Sequence, residues 1–84
     1  MKNINDASIA EKYQGMSQEG LREVWEKFSV KVMSLKDEVS VMSQALMSIS
    51  VNNSHHIEAA ANALSSKAQE LKEAAQELDI IGNI

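Results

Sequence analysis

His55 and His56 are the only histidines in the chain. With Glu58 they come nearest to a metal-binding group. Adjacent side chains on a helix point about 100° apart. A shared metal is better served by an i,i+4 pair on one helix face. No cysteine is present, and no other acidic residue lies at ligand spacing. The pair therefore reads as a solvated turn, and the sequence implies neither a metal nor a cofactor. Serine is abundant, but a Ser-His-Asp arrangement needs a cleft to hold it. Gly15 and Gly20 lack the following Lys-Ser/Thr, and the preceding strand, of a phosphate loop. No catalytic residue is assigned, and the expectation is a non-enzyme.

The side chains left to carry function are apolar. Met33, Met42 and Met47, with Met16 nearer the start, read as core filling or as an adaptable surface for a partner. Glu70, Glu73, Glu77 and Asp79, with Lys67 and Lys72, read as a solvated face.

These residues must be positioned by long helices. Leu21, Trp25, Phe28, Val32, Leu35, Val39, Met42, Leu46 and Ile49 alternate steps of four and three. That spacing keeps one stripe of a helix against a partner. Ser17 supplies an N-cap whose hydroxyl can accept from Glu19 or Gly20. Met16 and Leu21 have hydrophobic-staple spacing. The spacing predicts a helix over 17–51, roughly 34 residues or about 50 Å long. Asn52-Asn53-Ser54 then breaks the repeat, and Asn53 or Ser54 can cap a second helix over 54–81. Its stripe reads Ile57, Ala61, Leu64, Ala68, Leu71, Ala75 and Leu78. Gly82 is placed to take a left-handed cap.

The two stripes complement one another. Folding the chain back at 52–54 pairs residues whose numbers sum to about 106, with large residues facing small ones in alternate layers. The predicted fold is all-α: a long antiparallel helical hairpin, or coiled coil. The alternative is one continuous helix with a skip in its heptads. Residues 1–16 form an arm with sparse apolar residues, Ile4, Ile9, Tyr13 and Met16. Asp6 can cap a short helix from Ala7 to Gln14, closed at Gly15; otherwise the arm is frayed.

Eighty-four residues make one domain at most, and a chain of this size buries only about 60% of its unfolded surface. With no cysteine, the help it needs must come from a partner chain. Residues 1–51 carry six basic and seven acidic side chains, and residues 52–84 carry two and five. No basic stripe results, which argues against nucleic acid and against an anionic membrane surface. Apolar runs of two or three residues predict no membrane span. Residues 1–20 lack the apolar segment of a cleaved secretory signal. The expected location is cytoplasmic, or exported without such a signal.

Val24, Val30, Met33, Val41, Met47 and Val51 are apolar yet off the stripe. A helix this broadly apolar faces more than one neighbour. Trp25, Val30, Met33, Val41 and Met47 are therefore the expected partner-binding residues. The partner is another protein or further copies of the chain, joined in a bundle.

Residues 41–78, VMSQALMSISVNNSHHIEAAANALSSKAQELKEAAQEL, resemble the closing helix of bacterial chemoreceptor signalling domains in polar content, Ala pairs and heptads. The piece VNNS, the lack of cysteine and the ending Ile80-Ile81-Gly82-Asn83-Ile84 are similar to small helical subunits of bacterial type III secretion systems. The second resemblance implies an assembling subunit tied to a secretion apparatus. Neither resemblance assigns a role to any residue. The leading expectation is a non-enzymatic assembly or partner-binding protein. The alternative is a regulatory or inhibitory module that presents an apolar helix face to a larger protein.

Overall fold

The computed structural model describes residues 11–83. Asp6, Ile4 and Ile9, most of the short helix expected in the arm, and Ile84 lie outside the described residues. Residues 11–13 form a helical turn. Helix α1 follows over Gln18–Met47 and helix α2 over Ser54–Gly82, with a 3-10 turn at Val51–Asn53 between them. The two helices pack against each other as an antiparallel hairpin in a body 55 × 26 × 14 Å.

Helix α1 begins where the cap chemistry puts it. Ser17 is extended at φ −65° and ψ 159°, and the Gly20 amide donates to its Oγ at 3.1 Å. One amide left without a helical partner is thereby satisfied. The other end comes sooner than the apolar spacing predicts, at Met47 rather than Val51. The cause lies in serines, not in the Asn pair. Ser48 Oγ donates to the Ala45 carbonyl at 2.7 Å, and the Ser48 amide is shared between Gln44 and Ala45. The Ile49 amide reaches back only three residues, to Leu46. Ser50 then goes extended and accepts from the Asn52 amide. Short hydroxyl side chains compete in this way with helix continuation. Asn53 occupies the cap position of α2 but makes no side-chain cap bond.

Gly82 does not adopt the left-handed cap conformation. It ends α2 in the helix itself, and Asn83 closes the terminus, with Nδ2 donating to the Asp79 carbonyl at 2.7 Å. Gly82 serves a close approach instead. A Cβ there would lie 3.5 Å from Trp25 Nε1 and 3.8 Å from Cδ1, so the indole edge rests on its bare backbone.

Along α1 the stripe from Leu21 to Leu46 is buried or half-buried, with one exception. Trp25 is exposed, and Val24 is half-buried beside its place. On α2 the leucines face inward as spaced, but the alternate members are shifted by one. Ile57, Ala60, Leu64, Lys67, Leu71, Ala74, Leu78 and Ile81 are buried or half-buried, whereas Ala61, Ala68 and Ala75 are exposed. Both phases alternate threes and fours through the same leucines, and Ala occurs at 60 and 61 and again at 74 and 75. Only the choice between Lys67 and Ala68 separates them, and hydrophobicity favours the wrong one. Lys67 takes the inner position because its long stem can lie along the seam. Its Nζ then reaches Glu38 Oε2 across the seam at 3.5 Å and Glu70 Oε2 at 3.1 Å. These two carboxylates raise the Lys67 pKa above its ordinary value, the bond to Glu70 contributing most.

Four apolar residues form the core among the described residues: Tyr13, Leu35, Ala74 and Ile81. Two helices have only one contact surface between them, so most stripe residues keep an edge in water.

Candidate functional site

All five residues expected to meet a partner lie on α1, and all five are exposed. Trp25 retains 45% of its surface, Val30 66%, Met33 64%, Val41 65% and Met47 83%. Helical spacing does not gather them into one patch. Val30 and Met33 are three residues apart on the outer face, opposite Leu35, and Val41 returns to that face after two more turns. Asp37 and Ser40, both exposed, lie between Met33 and Val41. Met47 sits on the last turn, toward the Met33 edge. Trp25 stands apart at the open end of the hairpin, bordering a shallow depression with Ala75, Leu78 and Gly82. One turn further along α1, Ser29 Oγ is buried without a hydrogen-bond partner.

The arm makes a contact that residue patterns left unread. Tyr13 is only 4% exposed. Its hydroxyl donates to Glu77 Oε2 at 2.7 Å, across 64 positions of sequence. Glu77 is thus half-buried and bonded, not part of a freely solvated face. Ala74 precedes Glu77 by three residues on the same face of α2 and is equally buried. Lys12 lies 5.4 Å over the Tyr13 ring and borders one depression with Phe28, Lys31, Glu70, Ala74 and Glu77. The one available signal was the chain's single tyrosine, standing in a polar arm just before a glycine.

Burial of the phenol pushes the Tyr13 pKa from 10.0 up to about 12, helped by the hydrogen bond to Glu77 and by that carboxylate's charge. The docked ring therefore prefers to keep its proton. Its contribution to stability is fully present below pH 10 and is lost as the pH rises through about 12, because the unfolded chain ionises more readily there. With one tyrosine in the chain, tyrosinate absorbance reports this group alone. The expected midpoint lies well above that of a free tyrosine, and Glu77→Gln should lower it in part. A midpoint at the free value would mean that the ring is in water.

The chemistry available elsewhere is limited. His55 and His56 are exposed, with ring centroids 4.1 Å apart and tilted by 44°. Among the described residues no group of three or more His, Cys, Asp or Glu is placed to hold a metal ion. No helix of the described residues is long and apolar enough to cross a membrane. Comparison of the chain with protein families, curated proteins and solved structures finds no match.

Proposed function

We propose that the chain is a non-enzymatic assembly protein that joins a helical bundle through the outer face of α1. One observation carries the reading: Val30, Met33, Val41 and Met47 each leave more than half their surface in water on a single helix. An isolated exposed Val or Met is unremarkable in a monomer. Four on one helix, with Trp25 also exposed, give an apolar area that association would remove from water. A Met side chain contributes about 1.5–3 kcal/mol when fully buried rather than exposed, so several partly buried ones help offset the lost freedom of the partners. Asp37 and Ser40 within the face favour a contact of separate apolar knobs over a continuous seam. The resemblance to small secretion-system subunits points toward the same kind of role.

The test is light scattering across a wide concentration range on the chain and on a Met33→Lys, Met47→Lys double variant. The native chain should form a discrete oligomer or open-ended polymers. The variant should keep its helical dichroism, since Lys forms helix about as well as Met, yet stay monomeric, because charged ends in an apolar contact must stay wet. A native chain that remains monomeric throughout would overturn self-assembly. A double variant that assembles as before would remove this face from the contact.

A further inference from the structure

We propose that residues 11–14 are a hinged strap that opens and closes over the α1–α2 seam as a unit, pivoting at Gly15, while the two helices stay paired. What holds the strap is unusually separable from what holds the hairpin. Its own backbone bond runs from the Gln14 amide to the Glu11 carbonyl, and a single turn bond, from the Met16 amide to the Tyr13 carbonyl at 3.4 Å, spans Gly15. The first turn of α1 is closed independently, by the Leu21 amide on the Ser17 carbonyl and by the Ser17 cap. Among the described residues, no backbone bond joins the strap to the body of either helix. Among the described residues the tie consists of the buried Tyr13 ring, its bond to Glu77 and the turn bond across Gly15, with Lys12 bordering the same depression as Phe28 and Ala74. Swinging the strap away therefore breaks no helical hydrogen bond.

Between tie and helix lies a pivot. Gly15 has φ +82°, and no residue of the described chain other than glycine has positive φ. Only glycine takes that conformation without strain. Nothing lies within 4 Å of where its Cβ would be, so no neighbour packs against the pivot on that side. Opening wets the ring and withdraws Lys12 from the depression it borders with Phe28, Ala74 and Glu77, so that Ala74 is expected to become more accessible. Proteins open in units of unequal stability, and a unit held, among the described residues, by one ring and two hydrogen bonds opens more readily than a hairpin of paired helices. The chain thus has a closed state and an open state of the same fold, differing in whether this end of the seam is covered.

The absence of cysteine from the chain allows a direct test. Ala74→Cys places a thiol at the depression that the strap borders, and Leu35→Cys places one in the middle of the seam. Each is reacted with a disulfide reagent at neutral pH, with and without Tyr13→Ala. The Ala74→Cys thiol should react more slowly than a free peptide thiol, and Tyr13→Ala should speed it on the order of 10- to 100-fold. The Leu35→Cys thiol should react at the same rate in both backgrounds. An Ala74→Cys thiol as reactive as a free peptide overturns the closed state. Equal acceleration of both thiols overturns independent opening. Should either cysteine variant lose its helical dichroism, amide exchange of the unaltered chain decides. Exchange of the Met16 amide that is faster than at the centre of α1, and faster again in Tyr13→Ala, supports the strap. Protection equal to that of the α1 centre overturns it.

Discussion

Leu35→Ala will cost about 2–5 kcal/mol, as truncations of fully buried leucines do. A chain of 84 residues has roughly 4–12 kcal/mol of stability in all, at 0.05–0.15 kcal/mol per residue. One substitution is therefore expected to take away from about a sixth of it to most of it, and to lower the melting temperature by about 10–30 °C. The effect is large because the core is thin. Leu35 is 6% exposed and is the one buried residue of α1. Its layer has no third helix to collapse into the space, so a cavity there opens to water or stays empty. Val30→Ala, five residues earlier on the outer face, should change the melting temperature of the monomer little, since alanine is also the better helix former. Thermal denaturation followed by circular dichroism compares the two. A Leu35→Ala loss below about 1 kcal/mol would show that this side chain does not pack as its burial implies.

Ala74→Leu and Ala68→Leu form the second test, and they are expected to separate widely. Ala74 is 4% exposed, on the inner face of α2 one turn before Glu77. Three extra carbons there must push apart what packs against this position, at about 1–3 kcal/mol. Ala68 is exposed, so Leu at that site should lie within about 0.5 kcal/mol of the native chain. The inner phase of α2 follows from the comparison. If Ala68→Leu proved the costlier change, the stripe through Ala61, Ala68 and Ala75 would be the true seam, and Lys67 would be turned to solvent.

The hairpin is legible in the residues because two long apolar repeats flank a short polar break. A signal of that length is hard to imitate by chance. The lateral details are not, and each failure has a physical reason. The alanine pairs at 60–61 and 74–75 offer the same apolarity in either phase. Lys67 carries a charge that hydrophobicity counts against burial, although its stem packs and only its ammonium needs water. Ile81, three residues past Leu78, was the usable clue, for it continues the correct phase and not the other. The helix end at Met47 turned on hydroxyl bonds of Ser48 and Ser50, which residue type allows but does not require. The Tyr13–Glu77 bond joins the two ends of the chain, and no local pattern encodes a contact of that range. Val30, Met33, Val41 and Met47 were legible because they are apolar residues left over once one stripe is assigned, whereas Trp25 is spaced into that stripe and is exposed all the same. Their interruption by Asp37 follows from the same helical spacing.

Antiparallel pairing also orders the events of folding. Near the Ser48–Asn53 connection the partners are only a few residues apart, whereas Trp25 meets Gly82 across about two thirds of the sequence. Closing a loop grows costlier with its length, though slowly, and each layer formed shortens the loop the next must close. The helices are thus expected to zip from the connection outward and to unzip from the opposite end. Both residues with useful near-ultraviolet signals, Trp25 and Tyr13, stand at that last-closing end. In a temperature jump, indole emission should change ahead of the amide signal of the helices. Trp25 and Tyr13 then report on end fraying, and the far-ultraviolet dichroism alone reports on the hairpin as a whole.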